Sequence, residues 1–232
     1  MKQSIRKSAG MIMLSLLCVM PVLASAAGVT LNTTRIIYSQ GSHQQTVSVR
    51  NSDEKTTFLI QSWVENADGK KTKDFVVTPP LFTSKPGNEN MLRLVYSGDL
   101  LPQDRESLYF FNSKAIPSVD KEALEGKNAL ILAAITRIKL FVRPQNLKLL
   151  PEAAPAELRF KKEGQVLNIN NPTPYYLTLT ELKTGQTPLQ DIMVAPMSSA
   201  SVSLPASTGS DVTFSTINDY GGLTPEQKAI FK

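Results

Sequence analysis

The residues of this chain that could do chemistry are few, and they do not assemble into a catalytic pattern. The single histidine, His43, lies between Ser42 and Gln44 in a polar, turn-like stretch, where an exposed loop residue is expected. No G-x-S-x-G elbow, H-E-x-x-H helix, phosphate-cradling glycine loop or cysteine pair occurs. Carboxylates such as Asp104, Glu106 and Asp219 could pair for acid–base work, but nothing around them demands it. No enzyme activity, cofactor or metal site is therefore expected.

Two cations are more informative. Read as one alternating strand, Val29, Leu31, Thr33, Arg35 and Ile37 share a face, which turns Arg35 inward among apolar residues. Lys139 raises the same question beside Ile131, Ala133 and Ile135. An unpaired buried charge is strongly unfavourable. Each cation therefore calls either for an internal salt bridge or for an anionic group supplied from elsewhere.

The elements that must position these residues begin after an expected leader. Lys2, Arg6 and Lys7 form a charged start, Met11 to Leu23 an apolar centre, and Ala24-Ser25-Ala26-Ala27 a small-residue cleavage region, with cleavage expected after Ala27 or Ala26. Those three cations supply part of the formal +5 and no acid precedes Gly28, which leaves roughly +2 on the mature chain. Such a balance argues against nucleic acid as a partner. The only cysteine, Cys18, lies in the leader, so the exported chain must be held by burial and ladder hydrogen bonds rather than by a disulfide.

Apolar–polar alternation bounded by turn residues recurs throughout the rest. The runs include "GVTLNTTRIIYS" (28–39), "TTFLIQSWVEN" (56–66), "KDFVVTPPLF" (73–82) and "SLYFFNSKAIP" (107–117). Asp68-Gly69 favours a tight hairpin, and Pro79-Pro80 marks a sheet edge or an exit from a sheet. The pattern breaks in "RPQNLKLLPEAAPAE", after which short strands resume. This organisation implies two consecutive all-β sandwiches, at 28–147 and 148–232, with short helices expected only at 118–126 and 224–232.

One run stands apart. "NALILAAITRIKLFVRP" (128–144) reads as a single very long strand, apolar and uncharged from Ala129 through Thr136. It is a central core strand, an edge that pairs copies of the chain, or a strand lent to a partner. An exposed apolar edge is an aggregation hazard that proteins normally blunt, so its retention points to pairing as its purpose.

With "ITRIKLFVRP" (135–144), "TPPLF" (78–82), "LPQDRESLYFFNSKAIP" (101–117), "NPTPYYLTLTEL" (171–182) and "TINDYGGLTP" (216–225), the chain resembles the periplasmic chaperones of the chaperone–usher pathway over nearly its whole mature length. The resemblance implies two immunoglobulin-like β-sandwich domains in a boomerang arrangement and a periplasmic location. It implies fimbrial subunits and an outer-membrane usher as partners, and a strand lent to complete each subunit's sandwich. Arg35 and Lys139 match the pair that grips a subunit's C-terminal carboxylate. Leu130, Leu132 and Ala134 match the donor positions, with Ala134 small where relatives commonly carry a larger aliphatic residue. Glu106, Arg143 and Asp219 match an interdomain charge network, and residues near Leu59 are candidates for the usher-contacting face. Strict alternation places Lys139 and Leu132 on opposite faces, which a bulge or strong twist would reconcile. A secreted adhesin or structural fimbrial component is the alternative of a different class, and a transient homodimer is open for the free protein.

Overall fold

The computed structural model describes residues 28–119, 126, 130–206, 209 and 211–231. The expected leader and most of the expected helix at 118–126 lie outside the described residues.

The first nine strands are β1 (Val29–Leu31), β2 (Arg35–Ser39), β3 (Gln45–Asn51), β4 (Phe58–Asn66), β5 (Phe75–Thr78), β6 (Leu81–Ser84), β7 (Glu89–Tyr96), β8 (Ser107–Pro117) and β9 (Ala134–Arg143). They form two facing sheets, ordered β1-β3-β7-β5 and β2-β9-β8-β4-β6. Alternation decides which residues enter the space between them. Val47, Val49, Leu92 and Leu94 point in from one sheet, and Ile60, Val64, Phe111, Ile138 and Leu140 from the other.

Two runs that read as single strands are each divided between the sheets. Residues 28–39 break at Asn32–Thr34, where Asn32 exchanges hydrogen bonds with the Ser48 backbone and Thr33 Oγ1 donates to the Arg35 carbonyl at 2.6 Å. β1 therefore lies in one sheet and β2 in the other, and the alternation restarts. Residues 73–82 cross at Pro79-Pro80, between the edge strands β5 and β6, where missing N–H groups leave no ladder bond unmade. The Asp68-Gly69 turn forms, with Gly69 at φ +76, but the chain beyond it makes only one bridge back, Lys71 to Glu65, before crossing to the other sheet.

A short 3-10 helix, Pro151–Glu157, joins the first sandwich to the second. The second contains β10 (Arg159–Glu163), β11 (Val166–Asn171), β12 (Leu177–Thr184), β13 (Thr187–Pro188), β14 (Ile192–Val194), β15 (Ser198–Ser203), β16 (Val212–Thr216) and β17 (Gln227–Lys228). Its sheets run β10-β11-β15 and β13-β12-β16-β17, with β14 also on β12. Phe160, Leu167, Ile169, Leu179 and Phe214 fill a separate core. The tail expected as a helix is corrected to an extended edge. β17 pairs with β16, Ala229 N donates to the Val212 carbonyl, and the Ile230 carbonyl accepts from Phe160 N. A helix of that length is marginal in water, whereas two sheets offer the tail ready backbone partners.

Both sandwiches use the same device to hold their connecting loops. Asn51 Nδ2 reaches the carbonyls of Thr56, Ser84 and Lys85, and Asn171 Nδ2 those of Tyr175, Val194 and Ala195. Each asparagine is fully buried, so its satisfied amide fixes the loops at the end of its strand.

Candidate functional site

The site is built on β9. Its register with β8 is unbroken from Ala134 opposite Ala115 to Val142 opposite Ser107, so no bulge separates Lys139 from Ala134. Ile138, Leu140 and Val142 enter the core, while Arg137, Lys139, Phe141 and Arg143 stand on the opposite face. Ala134 has the parity of the core residues, as Leu130 and Leu132 do by numbering.

The two edges of β9 differ. β8 covers one edge along Ala134–Val142, but on the other β2 runs parallel and covers only Lys139 to Arg143. From Ala134 through Ile138 no described strand lies on that second edge. The expectation of one strand over 128–144 is also corrected, since among the described residues the ladder begins at Ala134. Continuing the register would set Leu132 opposite Pro117, which has no N–H to give. Leu130 and Leu132 are 84% and 72% exposed, and Ala134 is exposed as well.

Arg35 opens β2 directly opposite Lys139. Because the alternation restarts after Thr34, it is Ile36 and Tyr38 that enter the core, and Arg35 shares the outer face with Lys139. The reading of Arg35 as inward with Val29 and Leu31 is therefore corrected. It is buried all the same, at 9% exposure. Its Nη1 donates to the Ile217 carbonyl of the second sandwich at 3.1 Å, and its Nε has no partner among the described residues. Lys139 Nζ donates to Thr178 Oγ1, on β12, at 2.9 Å.

Four cations share this face of β2 and β9, and their partners divide them. Arg137 pairs with Glu65 at 3.2 Å and lies 3.5 Å over the Phe110 ring. Arg143 is held between Glu106, at 2.7 Å, and Asp219, at 2.6 and 2.7 Å. Arg35 and Lys139 make no ion pair among the described residues. Burial lowers the pKa of both, the neighbouring Arg35 charge lowers that of Lys139 further, and Asp219 and Glu106 offset part of the effect on Arg35 only from a distance.

Glu106, Arg143 and Asp219 are brought together between the sandwiches. Glu106 Oε2 also accepts from Tyr176 N at 2.8 Å, and Glu106 N donates to the Pro174 carbonyl. Burial raises the Glu106 pKa, with Arg143 opposing. Burial alone would lower the pKa of Arg143, but the two carboxylates outweigh it and hold it above the ordinary arginine value. Phe141 packs on Tyr176 with ring centroids 5.6 Å apart. Asp219 sits on a loop pressed so closely on Thr34 that any Cβ at Gly221, φ +84, would run into the threonine hydroxyl. Leu59 lies on the outer face of β4 opposite Ile116, at 38% exposure.

The model for the N-terminal domain of the PapD pili and flagellar-assembly chaperones matches residues 28–148, and that for the C-terminal domain of the pili assembly chaperone PapD matches 153–228. The chain belongs to the pili assembly chaperone family. It is 51% identical to the chaperone protein FimC of Escherichia coli K12 over 89% of this chain and 86% of that one. The crystal structure of the periplasmic chaperone SfaE superposes with a TM-score of 0.78 at 46% identity, covering 88% of this chain and 100% of that one. A chain from the complex of the Salmonella enterica SafA pilin with the SafB chaperone gives 0.80 at 32% identity, over 89% and 97%. The all-β, two-sandwich architecture is that of the family.

Thr178, the Ile217 carbonyl, Tyr176 and Arg137 have no role that the sequence reveals. "PYYLTLT" falls within one of the family-like motifs, but only the approach of the second sandwich shows that its Thr178 meets a lysine thirty-nine residues earlier.

Proposed function

We propose that this chaperone binds fimbrial subunits in the periplasm by lending them the free edge of β9, anchors their C-terminal carboxylate on Arg35 and Lys139, and passes them to an outer-membrane usher. The observation that carries the reading is a cation pair that makes no ion pair among the described residues, at the point where the free edge ends. A strand laid along that edge in line with β2 would run parallel to β9 and finish beside Arg35. Run the other way, it would bring its ammonium end to two cations. Charge therefore sets both direction and register, and a one-residue slip would turn every donor side chain to the wrong face. No bulge is needed, because the carboxylate arrives along the strand edge while Leu130, Leu132 and Ala134 fill the partner's groove from the core side.

In this reading the chain acts by binding rather than by catalysis. The working units are 28–147 and 148–232, Glu106, Arg143 and Asp219 fix the angle between them, and the usher is met near Leu59. The test is co-purification from periplasm with the fimbrial subunits encoded beside this protein, comparing wild type with folded Arg35→Ala and Lys139→Ala variants. Capture by wild type alone supports the anchor. Equal capture by all three removes it, and no capture by wild type favours a structural fimbrial component.

A further inference from the structure

We infer that Thr178 is a positioning residue of the carboxylate anchor: from the second sandwich, its hydroxyl holds the Lys139 ammonium where it meets the incoming carboxylate. The inference rests on the anchor reading of Arg35 and Lys139 and adds a residue, on the other domain, to that site.

A lysine ammonium is a mobile point charge on four rotatable bonds, with three donors and no fixed plane. Left free on the face of β9, Lys139 would turn away from Arg35, whose charge repels it. Thr178 opposes that movement. It lies on β12, 9% exposed, and accepts one Nζ proton at 2.9 Å. Two donors remain on the ammonium. The Ile217 carbonyl at the end of β16 does the same for Arg35, taking Nη1 at 3.1 Å and leaving Nε without a partner among the described residues. Both cations are thus tethered by neutral oxygens of the second sandwich, which hold them without neutralising them. An acid in either place would give a closed salt bridge, as Glu65 gives Arg137. Threonine suits the position because a β-branched side chain is stiff at χ1 on a strand, so the hydroxyl direction is set by the backbone.

The test uses the full chain and a soluble peptide of alternating valine and threonine with lysines at its N-terminus, prepared with a free C-terminal carboxylate and as the C-terminal amide. The ratio of the two affinities isolates the anchor from strand pairing. In wild type the acid binds more tightly than the amide. Thr178→Val, which keeps the shape and removes the acceptor, is expected to lower that ratio about three- to tenfold, the net range for one ordinary hydrogen bond, while leaving amide binding unchanged. Thr178→Ser, which keeps the acceptor on a freer side chain, restores most of the ratio, and Thr178→Val adds nothing once Lys139→Ala is present. The inference is overturned if Thr178→Val weakens acid and amide equally, or leaves the ratio intact while Lys139→Ala collapses it; in the second case the anchor itself survives. A wild-type ratio of one overturns both.

Discussion

The segment from Leu130 to Arg143, which becomes β9 at Ala134, has two parts with opposite fates. From Lys139 to Arg143 the strand is covered: Leu140 and Val142 are buried, β8 and β2 flank it, and Arg143 is clamped between two carboxylates. From Leu130 to Arg137 the residues are as apolar but largely exposed, with one backbone edge open. Composition does not explain the difference, since Leu130, Leu132 and Ile135 are no less hydrophobic than Leu140. What differs is whether the rest of the molecule supplies a second strand and a facing sheet. One half packs into the protein's own core, and the other, on the proposed reading, completes the core of a subunit.

That comparison can be broken at several points. The largest effect is expected in the covered half: Arg143→Ala leaves Glu106 buried without its partner and should cost about 3–5 kcal/mol of unfolding free energy in denaturant titration. In the open half, Leu132→Ala should leave unfolding within about 0.5 kcal/mol of wild type. Its subunit affinity should nevertheless drop by roughly 1.5–3 kcal/mol, the value of a buried leucine side chain, measured by displacement titration. If Leu132→Ala instead destabilises the free protein, the open half is already packed and the comparison fails.

Lys139 sits where the halves meet, and its pH dependence sharpens the contrast. Burial and then the Arg35 charge depress its folded-state pKa below the ordinary lysine value, so the folded protein releases that proton first as pH rises. Between the folded pKa and the ordinary lysine value, the unfolded chain binds more protons and stability rises with pH. On the proposed anchor, carboxylate binding needs the charged ammonium, so subunit affinity should fall across the same window, with Lys139→Arg flattening the fall. Parallel measurements of unfolding and binding between neutral and alkaline pH would check the opposite signs. The smallest change is expected at Arg137, whose side chain is 44% exposed in its pair with Glu65, where Arg137→Ala should cost less than about 1 kcal/mol in the same denaturant titration.

Much of this was legible in the sequence, because it depends on local order. Period-two alternation gave most of the strands, Pro79-Pro80 marked the passage from one sheet to the other, and the break around Pro144 to Pro155 separated two cores. The apolar run before Arg137 announced an edge that ought to be covered. Residue types restricted the chemistry as well: two cations far apart in the chain, without local acids, raised the question of an anion before any contact was known.

What alternation misjudged was continuity. It carried Arg35 on the same face as Val29 because nothing in the letters shows that the chain changes sheets at Asn32–Thr34, and it drew the long strand through Leu130 because apolarity does not reveal where a ladder partner ends. The chain by itself determined which residues would be apolar, charged or turn-forming, since those are properties of side chains and short-range backbone geometry. Only the tertiary structure decided that Arg35 stands opposite Lys139, that Thr178 and Ile217 tether them from another domain, and that one edge of β9 stays open. Those facts depend on which strands become neighbours, and neighbourhood across a hundred residues is fixed by the packing of whole sheets.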